Sequence, residues 1–261
     1  MARVYHLTEA GKAALAAKED DTGTLPLEYR RLLGVVQYEG HVNVIRGRLR
    51  RFPDRLIEEW LKELEELKLI APGKPTTKAA DITFTGGREP QLPPLPDEDK
   101  KRLARTTVIA GATLLRQGSF LAVDRIANLP PLAKKPAQTV VLLVEDDPDQ
   151  LALAELRLTM AGYQVRSVDR AKALSRFLRE QPRPDLLLLD VMLPDGNGFD
   201  ILGKLRVRPE FAMLPIVLLT VKAELANIRK GLALGADGYI TKPYSKDQLA
   251  EVIGRILRHP A

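Results

Sequence analysis

The chain has 261 residues, no Cys, 45% hydrophobic and 28% charged side chains, and a net charge of +6. Disulfides, thiolate nucleophiles and Cys-based zinc sites are therefore excluded, and no run approaches the roughly 18 apolar residues of a membrane span. Residues 1–6 lack the apolar centre of a secretory leader, so a cytoplasmic protein with no membrane part is expected. The length suits two domains with separate cores. Charge is uneven: residues 1–72 balance 12 Lys+Arg against 12 Asp+Glu, whereas residues 73–139 carry 11 against 6.

Tyr5-His6-Leu7-Thr8-Glu9-Ala10-Gly11 reads as a strand followed by a capped helix. Three helical patterns follow, over Leu27–Tyr38, 42–50 and 53–68, the last with Ile57, Trp60, Leu61 and Leu64 at helical spacing. Leu69-Ile70-Ala71 predicts a strand, and Ile82-Thr83-Phe84 its partner across a stretch rich in Pro and Gly. Asp97 is the expected N-cap of the next helix, which has an apolar stripe at Leu103, Thr107, Ala110 and Leu114 and ends at Gly118. Residues 120–126 fit strand or helix. Pro130-Pro131 and Lys134-Lys135-Pro136 read as a linker. The expected division is a domain over 1–96, a helix and basic Pro-rich linker over 97–138, and a second domain over 139–261.

From Thr139 strand and helix alternate five times. The strands are Val140–Val144, Gln164–Val168, 185–190, Ile216–Thr220 and Gly238–Thr241, and each is followed by a helical pattern. Near-continuous apolar strands call for a sheet covered on both faces, a doubly wound five-stranded parallel α/β domain. Its ligand crevice lies at the carboxyl ends of the strands. Glu145, Asp146, Asp190, Thr220 and Lys242 all fall there. Crowded carboxylates repel unless a cation joins them, and oxygen ligands without His or Cys favour Mg2+. A carboxylate so held can attack a phosphoryl group whose oxygens are neutralised by a lysine and a hydroxyl.

This arrangement resembles the receiver domain of two-component response regulators, over residues 139–259. Glu145-Asp146 matches the family's metal-binding pair. Asp190, in Leu189-Asp190-Val191-Met192-Leu193-Pro194-Asp195-Gly196, matches its phospho-accepting aspartate. Thr220 matches the switch hydroxyl, Tyr239 the rotating aromatic, and Lys242-Pro243 the lysine and its proline, usually joined by a cis bond. The resemblance implies a flavodoxin-like fold and phosphorylation on Asp190 from a histidine kinase or phosphotransfer protein. It also implies Mg2+ held by Glu145, Asp146, Asp190 and the Met192 backbone carbonyl. It implies a phosphoryl acceptor with slow self-dephosphorylation at most, not an enzyme. Val221 departs from the pattern, because a small residue usually follows the switch Thr; a branched side chain there would crowd the attacking water. Asp147 is expected to be solvated or to cap the next helix rather than to bind the metal. A dehalogenase-type hydrolase would need a second Asp where Met192 stands, and a nucleotide-binding domain would need a Gly-rich loop after the first strand.

The N-terminal helices and strand pair resemble a winged helix-turn-helix. The last helix, however, carries Asp54, Glu58, Glu59, Glu63, Glu65 and Glu66 against Arg55, Lys62 and Lys68, and phosphate contacts supply most DNA affinity. Only Arg46, Arg48, Arg50 and Arg51 form a basic tract. The expected output is therefore a protein partner or self-association through the N-terminal half; the stripe at Leu103, Ala110 and Leu114 is a candidate self-association surface, although packing against its own domain is its first expected fate. The alternative is a DNA-binding transcriptional regulator.

Overall fold

The computed structural model describes residues 3–17, 25–73, 83–84, 95–221 and 224–258. The N-terminal unit begins with strand β1 (Val4–Leu7) and helix α1 (Glu9–Ala16), capped by Thr8. Helices α2 (Leu27–Tyr38), α3 (Val42–Arg48) and α4 (Asp54–Glu66) precede strand β2 (Ile70–Gly73). Leu32, Leu33, Ile45, Ile57, Leu64 and Ile70 form its core. The acidic side chains of α4 face solvent, because Ile57, Leu61 and Leu64 claim its one apolar stripe.

The expected wing is corrected. β2 pairs antiparallel with β1, with Leu7 opposite Ile70 and Val4 opposite Gly73. Ile82 lies outside the described residues, and Thr83-Phe84 is not a strand. Phe84 is instead buried in the C-terminal core, in the same cluster as Ala171 and Phe199.

The helix expected at the head of the 97–138 segment forms. Helix α5 (Asp97–Gln117) starts one residue earlier than expected, after Pro96, so Asp97 is its first residue. Gly118 ends it in the left-handed conformation, φ +66°. The stripe Thr107, Ala110 and Leu114 is buried, and Ala110 and Leu114 enter the C-terminal core. Residues 120–126 supply both alternatives, strand β3 (Ser119–Leu121) and the short helix α6 (Val123–Ile126).

The C-terminal sheet combines β4 (Val140–Val144), β5 (Gln164–Val168), β6 (Leu186–Asp190), the short hairpin strands β7 (Met192–Leu193) and β8 (Gly196–Asn197) in a separate ribbon, β9 (Ile216–Thr220) and β10 (Gly238–Thr241). Its order is β3-β10-β9-β6-β4-β5, so the five expected parallel strands gain a sixth, antiparallel one. An edge strand exposes unpaired backbone groups, and β3 satisfies those of β10, with Tyr239 opposite Phe120. Helices α7 (Pro148–Met160), α8 (Ala171–Glu180), α9 (Gly198–Arg206), α10 (Leu225–Leu234) and α11 (Lys246–Leu257) cover the two faces. α5 packs on α10, where Gly111 meets Leu225 and Ile228.

Asp237, buried just before β10, joins the two units. It accepts from Arg125 at 3.1 Å, Arg206 at 2.9 Å and the Ile216 N–H at 2.9 Å, and forms an ion pair with Arg50 of the N-terminal unit. Arg50, Arg206 and Asp237 are no more than 1% exposed. Gly47 lets α3 approach closely, because a Cβ there would lie 2.5 Å from the Ala212 carbonyl oxygen. Breaking a buried ion pair strands its partners, at about 3–5 kcal/mol. Asp237→Ala should lose stability of that order in urea unfolding, whereas Arg50→Met should lose clearly less, since Asp237 keeps two arginines. Equal losses would show that Arg50 alone holds the cluster together.

Candidate functional site

The carboxyl ends of β4, β6, β9 and β10 place Glu145, Asp190, Thr220 and Lys242 side by side, because adjacent parallel strands keep register: Val144 lies opposite Leu189 and Thr241 opposite Thr220. The Lys242 N–H donates to the Thr220 carbonyl at 2.8 Å, and Lys242-Pro243 is cis. The lysine Nζ sits 2.5 Å from Asp190 Oδ2 and 2.5 Å from Glu145 Oε2. The Met192 N–H holds the other Asp190 oxygen at 3.1 Å.

Glu145 and Asp190 are buried, whereas Asp146 is exposed. The crowded, desolvated pair is therefore Glu145 with Asp190, not Glu145 with Asp146. Burial pushes the Glu145 pKa up, against the pull of Lys242. Burial works against the Lys242 charge, but its bonds to Asp190 and Glu145 outweigh that and raise its pKa. Ligand oxygens of Glu145, Asp146 and Asp190 lie within 4.8 Å of one another. Glu145 Oε1 is buried with no hydrogen-bond partner among the described residues. An orphaned acceptor inside an all-oxygen donor set fits a hard divalent cation.

Around this centre Asp147 caps α7, accepting from the Asp149 and Gln150 N–H groups at 3.0 Å, as its sequence position implied. Asp195 caps α8 from a distance, accepting from Ala171 at 2.7 Å and Lys172 at 3.0 Å. No local pattern marks that cap, because its partners lie 24 and 23 residues upstream. Tyr239 is buried, and its hydroxyl donates to the Ile228 carbonyl at 3.0 Å. Val221 is 66% exposed and borders a cavity of about 290 Å³ with Gln150, Arg157, Lys242 and Tyr244. Sequence reasoning missed Tyr244; burial, then the negative charge of Glu145, pushes its phenol up to about 12.

Residues 141–254 match the family model of the response regulator receiver domain. That region is a receiver domain. The chain is 42% identical over 118 residues to the transcriptional regulatory protein GltR of Pseudomonas aeruginosa, covering 45% of this chain and 48% of that one. It is 37% identical over 118 residues to the phosphate regulon transcriptional regulatory protein PhoB of Rhizobium meliloti, covering 45% and 52%. It thus spans about half the length of the curated relatives it matches. A solved putative response regulator from Chloroflexus aurantiacus is 32% identical, with TM-score 0.43, covering 48% of this chain and 99% of that one. No helix among the described residues is long and apolar enough to cross a membrane.

A raised carboxylate pKa means that the folded receiver binds the proton more tightly than the unfolded chain. Without metal, Glu145 therefore destabilises the fold increasingly as pH rises above the ordinary carboxylate range and through its raised pKa. Glu145→Gln should raise metal-free stability at neutral pH, with the gain shrinking as the solution is acidified. A loss at neutral pH in chemical denaturation would show that the Lys242 contact outweighs desolvation.

Proposed function

We propose that the chain is the response regulator of a two-component phosphorelay, with Asp190 accepting a phosphoryl group from a histidine kinase or phosphotransfer protein. The observation that carries this is Lys242 bridging Asp190 and the half-orphaned Glu145 at the strand ends. A carboxylate oxygen of Asp190 bonds to phosphorus as the donor's nitrogen–phosphorus bond breaks, leaving an acyl phosphate. Mg2+, held by Glu145, Asp146, Asp190 and the Met192 carbonyl, would neutralise carboxylate and phosphoryl oxygens. Lys242 then transfers its contact from the carboxylate to a phosphoryl oxygen, and the Thr220 hydroxyl donates to another. No turnover beyond slow self-hydrolysis is proposed.

The output is read as contact with a protein partner. The basic tract that would serve DNA is engaged within the chain. Arg46 pairs with Glu58, Arg48 donates to the Leu234 carbonyl at 3.3 Å, Arg50 pairs with Asp237, and Arg51 holds Asp99 at 2.8 Å. DNA control remains the second reading, favoured by the names of the transcriptional relatives. Thr220 and Tyr239 are the proposed switch residues, with Tyr239 leaving the Ile228 carbonyl as Thr220 shifts.

Acetyl phosphate with Mg2+ should add one acid-labile phosphoryl group, which Asp190→Asn abolishes; labelling that survives in this variant would place the acceptor elsewhere. Val221 stands at the mouth of the cavity beside Lys242, so Val221→Ala should shorten the lifetime of the phosphorylated form. An unchanged decay would show that water enters by another route. On random duplex DNA the full chain should bind weakly at physiological salt, with a shallow salt slope. Tight, sequence-selective binding would restore the DNA reading.

A further inference from the structure

A cavity of about 520 Å³ opens between α1, α2, the end of α3 and the start of α5, with no residue of the acceptor site in its lining. Small-molecule sites fall in the range of about 300–1,000 Å³ and combine apolar walls with a few polar anchors. Here Leu15, Val35 and Pro96 give apolar wall, while Arg30, Arg31, Arg48 and Arg51 outnumber the lining carboxylate Asp99 and point to anions.

The charges around it do not balance. Arg31 and Arg51 share Asp99, and Arg31 also reaches Glu28 and Glu98 at 3.5 and 3.6 Å. Arg50, Arg125 and Arg206 share Asp237. Arg48 forms no ion pair among the described residues; its guanidinium meets the Leu234 carbonyl. Burial lowers its pKa to about 10, which still leaves it charged at neutral pH. A desolvated cation without a counter-ion is costly.

Gly34 is an independent sign. It lies within α2, buried, where glycine costs roughly 1 kcal/mol relative to alanine. No packing demands it: a Cβ at that position would meet nothing within 4 Å. Gly34 lines this cavity, so the missing side chain preserves empty space rather than a close contact.

We propose that this cavity binds a phosphorylated small organic molecule, its phosphate on Arg48 and its neighbouring guanidinium groups, its body against Gly34 and Val35. Guanidinium forks match phosphate oxygens in geometry and charge. The site is separate from the acceptor and does not rest on phosphorylation.

The test is thermal unfolding of the full chain in EDTA, with inorganic phosphate, glucose 6-phosphate and AMP each compared with potassium chloride at equal ionic strength. At least one organic phosphate should raise the melting temperature more than inorganic phosphate does. Its half-maximal concentration should rise at least about tenfold in Arg48→Met, which removes the anchor, and in Gly34→Leu, which fills the space and improves the helix. Both variants should keep the parent's circular dichroism spectrum and a single cooperative unfolding transition, which shows an intact fold. If no organic phosphate exceeds both the chloride control and inorganic phosphate, or if Gly34→Leu responds like the parent, the proposal fails.

Discussion

A single buried carboxylate holds this molecule's two units in register. Asp237 stands in a low-dielectric environment where an isolated charge would be unaffordable, and three arginines from three separate places in the chain converge on it. Arg206 spreads the arrangement further by donating to the carbonyls of Gly235 at 2.9 Å and Leu214 at 2.8 Å. Asp237 thereby sets the loops that begin β9 and β10, and through Arg50 it sets the N-terminal unit against them. A hydrophobic interface could slide; a carboxylate with several directional donors cannot.

The opposite end of the sheet is reached by α5. Its first turn presents Asp99 to Arg31 and Arg51; burial opposes that carboxylate's ionisation, but the two arginines outweigh it and lower its pKa. Its last residue adjoins Gly118, whose carbonyl accepts from the Thr241 N–H at 2.8 Å, one residue before Lys242. At about 1.5 Å per residue, 21 residues span roughly 30 Å. A rigid element therefore runs from the N-terminal helices to the backbone of the lysine that grips Asp190. Motion at the acceptor and motion of the N-terminal unit share a mechanical part.

The receiver was legible because its chemistry is written locally: apolar runs that end in Glu145-Asp146, Asp190, Thr220 and Lys242 can converge only in a parallel sheet. What stayed hidden depends on distance along the chain. Arg50 and Asp237 are ordinary surface residues in a linear reading, and nothing near Arg48 or Arg51 announces burial. The wing failed because β2 has two candidate partners of similar apolarity, and the choice of β1 is made by tertiary packing. The Pro-rich segment makes contacts that composition does not announce. Pro130-Pro131 and the lysines were read by composition, yet the Leu132 N–H meets the Leu257 carbonyl at 3.1 Å and Lys134 reaches Asp185 at 2.8 Å. The crowding of carboxylates was foreseen, but which two are desolvated depends on side-chain direction at a strand end.

β3 also has a temporal consequence. Its partner strand lies more than a hundred residues downstream, and the Thr241 hydroxyl reaches back 123 positions to Gly118. On a ribosome adding roughly 5–20 residues per second, that delay is on the order of ten seconds. Throughout it α5 shows its apolar stripe to solvent, and Arg50 and Arg125 wait for their carboxylate. Such long-range pairing slows folding. Pairing of β3 with the receiver's last strand is thus a late step, and a nascent protein interrupted before residue 237 would carry both the apolar stripe of α5 and its unpaired arginines into the open.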